Sequence, residues 1–233
     1  MYEFKKIILE KNCKFPTGAS LLEISAKIDK QELQNCLTQG FKGVKRLPEK
    51  AIRELIDLTT KYDHLLFDDA TICPESLEKR RIRTALRLFE IIFGTDGNFW
   101  IIKDKKGEIA GYFYIYYTIS LVVPELINKE TKEINYTKKP YTTTLAGCLK
   151  KDFWGIESKK IMKKILDMLF VKENIKKIKC EIFSSNPYVK GILRTFGFRR
   201  EGILKNETIN RGKPESVEIW ALFKSEFEIL QKT

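Results

Sequence analysis

The residues best suited to chemistry lie in one short stretch, Trp154-Gly155-Ile156-Glu157-Ser158-Lys159-Lys160. A glycine turn ahead of an amphipathic helix leaves the first backbone N–H groups of that helix free, and such a terminus attracts anions. Ser158 is of a type that caps such an end. Lys159 and Lys160 fall in the predicted first turn, where a cation opposes the helix dipole by about 0.3–1 kcal/mol each. Two readings stand side by side: a solvated lysine face tolerated at that small cost, or a bound anion that reverses its sign. Between Lys150 and Cys180 ten lysines face four acids, Asp152, Glu157, Asp167 and Glu173. That local excess of 10 − 4 = +6 is half of the +12 carried by all 233 residues. A field of that sign favours nucleic acid, an acidic membrane surface or a phosphorylated ligand.

Other chemistries are poorly supplied. His64 is the single histidine, so a Ser-His or Cys-His nucleophile would have to be built on that one residue; a surface position at a helix end is the plainer expectation. The five cysteines, Cys13, Cys36, Cys73, Cys148 and Cys180, are far apart, with no CxxC pair. Neither a metal site nor a disulfide framework is expected, and a reducing cytoplasm is. Cys148 and Cys180 read as small apolar fillers. No apolar run approaches the roughly 20 residues that span a bilayer, and the first ten residues are too charged for a signal peptide.

The elements that must position the glycine turn follow from periodicity. Apolar residues at 51, 52, 55, 56 and 58 mark a helix over 48–58. A second helix opens at Pro74, carries the stripe Leu77, Ile82, Ala85, Leu86 and Phe89, and closes at Gly94. The period then changes: 98–103 and 109–120 are rich in β-branched and aromatic residues, with Asp104 to Glu108 as a hairpin turn. The polar stretch 128–140 reads as a loop, 141–149 as a strand, and 158–171 as an amphipathic helix with Ile161, Met162, Ile165, Leu166 and Leu169 on one face. A strand over 177–182, a short helix over 186–196 and two strands, about 199–209 and 216–224, complete the chain. The order predicts a mixed α/β (α+β) sheet covered by helices. Residues 1–48 form an N-terminal extension that could be a helical cap or, through Lys5 to Leu9, the first strand of the sheet; residues 49–233 are expected to form one compact unit.

This order of motifs resembles the GNAT superfamily of N-acetyltransferases over roughly residues 50–224. Within it, the likeness is closest to the branch that acetylates protein N-terminal amines, including those of ribosomal proteins. The most specific piece runs from Ser185-Asn186-Pro187 to Gly197-Phe198 and Glu201-Gly202, matching an asparagine after a strand, a short helix, then "GF" and "EG". A second runs from Gly147 through Asp152-Phe153-Trp154-Gly155, similar to that branch's strand and tryptophan-glycine loop. Gly107 to Gly111 resembles the family's hairpin, and Asn210 to Pro214 its late turn.

The resemblance implies the acyl-CoA acyltransferase fold: a mostly antiparallel sheet with one parallel pair, here 141–149 and 176–184, that splays to admit acetyl-CoA. Backbone N–H groups of Trp154, Gly155, Ile156, Glu157, Ser158, Lys159 and Lys160 would hold the pyrophosphate. Asn186 would bond the pantetheine arm, and N–H groups near Cys148, Leu149 and Lys150 the thioester carbonyl. An amine would attack directly, without a covalent enzyme intermediate. The sequence departs from the family in three places. In one register Glu157 stands where the loop's second glycine belongs. Leu193 occupies the position of the frequent acid tyrosine, and Val189 that of a common serine. Tyr188 is then the nearest hydroxyl, with packing at a helix start as its plainer role. The amine base falls to Glu181, Asp152, or Glu108 through a water.

Three functions follow. The first is a cytoplasmic acetyl-CoA-dependent N-acetyltransferase whose acceptor amine belongs to a small molecule or a polypeptide, a peptide N-terminus being one form. The second is a catalytically weakened acetyltransferase-like domain that binds acyl-CoA or a partner without turnover. The third, a basic RNA- or ribosome-associated module, ranks last, because no RNP-like aromatic run or Arg-rich helix is present.

Overall fold

The computed structural model describes residues 2–6, 8–9, 44–45, 49–68, 76–95, 98–128 and 133–230. Cys13, Cys36, Cys73, Pro74 and the expected helix start at 27–33 lie outside the described residues.

In chain order the elements are β1 (Glu3–Lys6), β2 (Ile8–Leu9), β3 (Val44–Lys45), α1 (Glu49–Lys61), α2 (Asp63–Leu66), α3 (Leu77–Gly94), β4 (Phe99–Lys103), β5 (Ile109–Asn128) and β6 (Glu133–Leu149). A 3-10 turn (Lys151–Phe153) leads to α4 (Ile156–Asp167), which runs on into one π-turn (Met168–Lys172). Then come β7 (Lys177–Phe183), α5 (Pro187–Thr195), β8 (Arg199–Asn210), β9 (Lys213–Phe223) and α6 (Lys224–Leu230). Seven strands form one sheet in the order β1-β4-β5-β6-β7-β9-β8, while β2 and β3 pair apart from it. Every neighbouring pair in the large sheet is antiparallel except β6 and β7. This is the expected mixed sheet with one parallel pair, joined by the helix α4.

Each sheet face is sealed by its own set of helices. One core joins Trp100, Phe113, Leu145, Ile178, Cys180 and Trp220 to Ile161, Ile165 and Leu166 of α4, Leu193 of α5 and Phe227 of α6. The other joins Phe99, Ile101, Tyr112 and Cys148 to Leu55 and Leu58 of α1 and Leu88, Phe89 and Ile92 of α3. A sheet covered on both faces has this two-sided apolar demand, which the aromatic run of β4 and β5 meets.

The β4–β5 hairpin forms as expected. Asp104 Oδ1 accepts the N–H groups of Lys106 (2.8 Å) and Glu108 (3.0 Å), and Gly107 takes a φ of 80° that a side chain disfavours. Just after it the register slips: Ile102 faces Gly111 while Lys103 faces Ile109, so Ala110 is a β-bulge. Bulges bend and twist the strand that carries them.

Three expectations are corrected. Residues 133–140 are not loop but the first half of β6, paired with β5 as far as Asn128↔Glu133. The pattern of this hairpin is not one that predicts burial: Ile119, Leu121 and Val122 on β5 are all exposed, as is Lys139 on β6. Leu77 is 64% exposed and does not belong to the buried stripe of α3, because it is the first residue of that helix. The helix expected over 158–171 begins two residues earlier, at Ile156, and its last turn is the π-turn.

Candidate active site

The parallel pair is short. Thr142, Thr143 and Thr144 pair with Lys177, Ile178 and Lys179. Beyond them β6 stays with β5 to Leu149↔Gly111, and β7 stays with β9 to Phe183↔Val217. The two strands therefore diverge, leaving a gap between Leu145–Leu149 and Cys180–Phe183. Two glycines let the strands of the β5–β6 pair approach. A Cβ on Gly147 would lie 2.6 Å from the Tyr112 carbonyl oxygen, and one on Gly111 would collide with that of Cys148.

Strand parity decides which peptide groups face the gap. The Lys150 N–H donates to the Ala110 carbonyl at 2.9 Å, so Lys150 and, two residues back, Cys148 point their backbone groups at β5. Leu149 points the other way. Its carbonyl accepts the Trp154 indole N–H at 3.0 Å, and its N–H lies on the same side, toward the gap. Of Cys148, Leu149 and Lys150, only Leu149 is thus oriented to offer an N–H there.

The turn that follows is built on Gly155, at φ 79° and ψ −122°. Gly155 itself is the N-cap of α4, which is why the helix starts early. Ser158 is not the cap: it is buried inside the first turn, with its hydroxyl donating to the Gly155 carbonyl at 2.8 Å. Lys159 therefore closes the first turn and Lys160 begins the second. The Lys159 N–H reaches the Gly155 carbonyl at 3.3 Å, while those of Ile156, Glu157 and Ser158 precede the helical ladder. A Cβ added at Gly155 would meet no atom within 4 Å, and Ile156 is 73% exposed, so this terminus opens onto free space.

Glu157 is held on the flank of the helix. One carboxylate oxygen accepts the Lys160 ammonium at 2.6 Å, and the other accepts the Tyr2 hydroxyl. The Lys160 bond, aided by that from Tyr2, holds the carboxyl below its ordinary range. Burial together with the bond to Glu157 pushes the Tyr2 phenol up to about 12.

Trp154 spans the site. Its ring lies 5.5 Å from that of Tyr62 and 4.7 Å from that of Tyr188. Tyr62 also accepts the Lys151 N–H through its hydroxyl at 3.2 Å. Two residues on, the His64 carbonyl accepts from the Asn210 amide (2.8 Å), and Asp68 accepts from the Thr208 hydroxyl (2.8 Å). Residues 62–68 thus run from the glycine turn to the β8–β9 hairpin. Arg80 anchors this segment with two bonds to the Asp63 carboxylate, at 2.7 and 2.8 Å. His64 is the second residue of α2, not a helix end; its Nδ1 is buried without a hydrogen bond, 3.8 Å from Asp63 Oδ1. Burial, then Arg211, pushes its imidazole below the ordinary range against the pull of Asp63.

The remaining candidates are dispersed. Asn186 caps α5, its side-chain oxygen accepting the Val189 N–H at 3.4 Å. Tyr188 is 61% exposed. Glu181 lies on the face opposite Cys180, exposed and paired with Lys179 at 2.7 Å. Asp152 and Glu108 are exposed. Burial pushes the Cys148 and Cys180 thiols up to about 12, so both are inert fillers. Leu193 is fully buried, with no hydroxyl to offer. Among the described residues no group of His, Cys, Asp and Glu could hold a metal ion.

Sequence reasoning did not find Tyr2, Tyr62 or the pair Lys190–Glu218. Glu218 is 3% exposed. Its carboxylate accepts Lys190 of α5 at 2.6 Å and the Trp220 indole at 2.9 Å. Burial acts to raise its pKa, and these bonds overcome it, leaving the carboxyl below its ordinary range. Each of these residues meets its partner through the fold, with no local motif to announce it.

No family model matches the sequence, and no curated protein matches it. Solved structures do match the fold. A spermidine N-acetyltransferase from Vibrio cholerae, in a structure with CoA and spermine, superposes with a TM-score of 0.54 at 16% identity over 78% of this chain and 95% of that one. A GNAT-family acetyltransferase from Bacillus anthracis gives 0.53 at 11% identity over 77% and 93%. The architecture is that of the GNAT N-acetyltransferases.

Proposed function

We propose that this chain is an acetyl-CoA-dependent N-acetyltransferase that acts on an amine. The observation that carries the reading is the divergence of β6 and β7 after Thr144 and Lys179, set beside a helix N-terminus that opens onto free space at Gly155. The matched Vibrio cholerae structure, which contains CoA, shares this architecture.

The residues present fit an anionic nucleotide thioester. The N–H groups of Ile156, Glu157 and Ser158 would take the pyrophosphate, with Lys159 and Lys160 adding charge. The Leu149 N–H would polarise the thioester carbonyl from the strand edge. Bound there, acetyl-CoA supplies an activated acyl group that a neutral amine attacks directly. Trp154 would wall one side of the gap, and Tyr188, whose ring meets it, would offer a hydroxyl there. Glu181 would draw the proton from the incoming ammonium through a water. Residues 62–68 and the β8–β9 hairpin would form the acceptor rim. A polypeptide N-terminus and a small amine both remain acceptors of this kind; the resemblance in sequence favours the former.

A second reading, an acyl-CoA-binding domain without turnover, is favoured by one observation: the buried Leu193 stands where the family carries its acid tyrosine. Calorimetric titration with CoA and acetyl-CoA tests the shared part. Micromolar binding is expected, and no binding at millimolar ligand overturns both readings. Acetyl transfer to a panel of N-terminal peptides and polyamines then separates them, with release of free CoA as the readout.

A further inference from the structure

The loop that would hold the pyrophosphate carries a carboxylate, Glu157, in the first turn of α4. Free in that position, an ionised side chain can curl toward the helix N-terminus, where the dipole and the free N–H groups attract it. It would then occupy the space of an incoming anion and repel it. In this structure both of its oxygens are engaged elsewhere. Lys160, one turn further along the helix, takes one at 2.6 Å. Tyr2, 155 residues away in sequence, takes the other.

Tyr2 is not a loose terminus. Lys164 donates to its carbonyl oxygen at 2.7 Å, and its ring meets that of Phe153 edge-on at 6.0 Å. The next residues enter the sheet as β1, with Phe4 opposite Ile102. Phe4 packs against Phe113 at 5.2 Å, and the Lys164 ammonium lies over its ring at 5.7 Å. The phenol is therefore presented along the flank of α4 by a strand and a helix, which draws Glu157 sideways.

We propose that Tyr2 is a positioning residue for the anion site: with Lys160 it holds the Glu157 carboxylate against the flank of α4 and so keeps the N-terminus of that helix open to a phosphate-bearing ligand. The N-terminal strand is thereby part of the binding apparatus. This rests on the proposed CoA site, but it concerns residues that site does not itself require.

The test is a double-mutant cycle read by calorimetry with CoA. Tyr2→Phe keeps the ring and its contact with Phe153 and removes only the hydroxyl. It is expected to weaken CoA binding about fivefold or more. Glu157→Gln alone is expected to bind at least as well as the wild type, and Tyr2→Phe added to it is expected to change nothing further. Equal affinity of Tyr2→Phe and wild type would overturn the proposal. So would an equal loss in the Glu157→Gln background, which would mean that Tyr2 acts through another contact. A ligand-free measurement separates this from the function itself: carbon NMR titration of the Glu157 side chain. Its midpoint is expected below the ordinary carboxylate range in the wild type and higher in Tyr2→Phe. An unmoved midpoint sinks the proposed contact whatever CoA does. Absence of CoA binding by the wild type, with the midpoint shift present, would instead remove the function and with it the role given to Tyr2.

Discussion

The rings of Trp154 and Tyr188 meet at 4.7 Å, although one residue follows β6 and the other follows β7, the two strands that part company at the gap. The contact bridges the two segments that leave the divergence, one from each strand. Tyr188 projects from the first turn of α5, which Asn186 caps and which Lys190 ties to the sheet through Glu218. The helix that carries this exposed ring is thus tied to the sheet by an ion pair whose carboxylate is buried.

Tyr188 is expected to act chiefly through that ring. Tyr188→Phe should keep kcat within about threefold of the wild type, since the contact survives. Tyr188→Ala should remove roughly 0.5–1.5 kcal/mol of aromatic contact and appear mainly as a raised KM for acetyl-CoA. A loss of about a hundredfold in kcat for the phenylalanine variant, with KM unchanged, would make the hydroxyl the acid that protonates the departing thiolate.

Gly155 is required for its backbone. At φ 79° a side chain is strained even though a Cβ there would touch nothing. Gly155→Ala should cost about 1–3 kcal/mol of stability, seen as a lower Tm. It should also weaken CoA binding, because the methyl group enters the space left for the ligand. A lower Tm with unchanged affinity would place the ligand elsewhere.

Glu218 links the fold to pH. Its folded carboxyl lies below the ordinary range, so the stability it contributes is present above the unfolded pKa, near 4.5. That stability is lost as pH falls through the lowered folded value. Denaturant unfolding between pH 7 and pH 3 should show the loss in the wild type. Glu218→Gln should flatten it, being less stable at pH 7 but closer to the wild type at pH 3. Lys190→Met leaves the carboxylate buried without its main partner and should cost about 3–5 kcal/mol at neutral pH. Parallel curves for wild type and Glu218→Gln would show that other carboxylates govern the transition.

Cys148 and Cys180 should resist alkylation in the folded protein, since their thiols are buried and pushed up to about 12. Peptide mapping after brief iodoacetamide treatment at pH 8 should find both unmodified, and modified only in denaturant. Rapid labelling of Cys148 would mean that the β6 end opens to solvent.

Much of the frame was legible from the residue pattern. The helical spacing of Ile161, Ile165 and Leu166, the alternation of Lys177 to Ile182 and the turn at Arg211-Gly212 each state a local preference that the fold keeps. The glycine turn between a strand and a lysine-bearing helix is likewise kept, with Gly155 at φ 79°. The helix boundary was misplaced by two residues because Ser158 is as good a cap by type as Gly155 is by conformation, and only the φ of Gly155 separates them. The strand over 133–140 is not legible locally because the stretch is polar and lysine-rich and its strand state comes from pairing with β5.

What the sequence determined alone was therefore most of the inventory from α1 onward and its order: the sheet class, the poverty of nucleophiles and the concentration of lysine between Lys150 and Cys180. What only the tertiary structure decided was which groups meet. Strand parity turns the Leu149 N–H toward the gap while Cys148 and Lys150 are committed to β5. Edge pairing of β1 brings Tyr2 to Glu157. Burial makes Glu218 the anchor of α5. These contacts join residues far apart in the chain, and no local propensity records them, because their energies exist only after the backbone has been folded to bring the partners together.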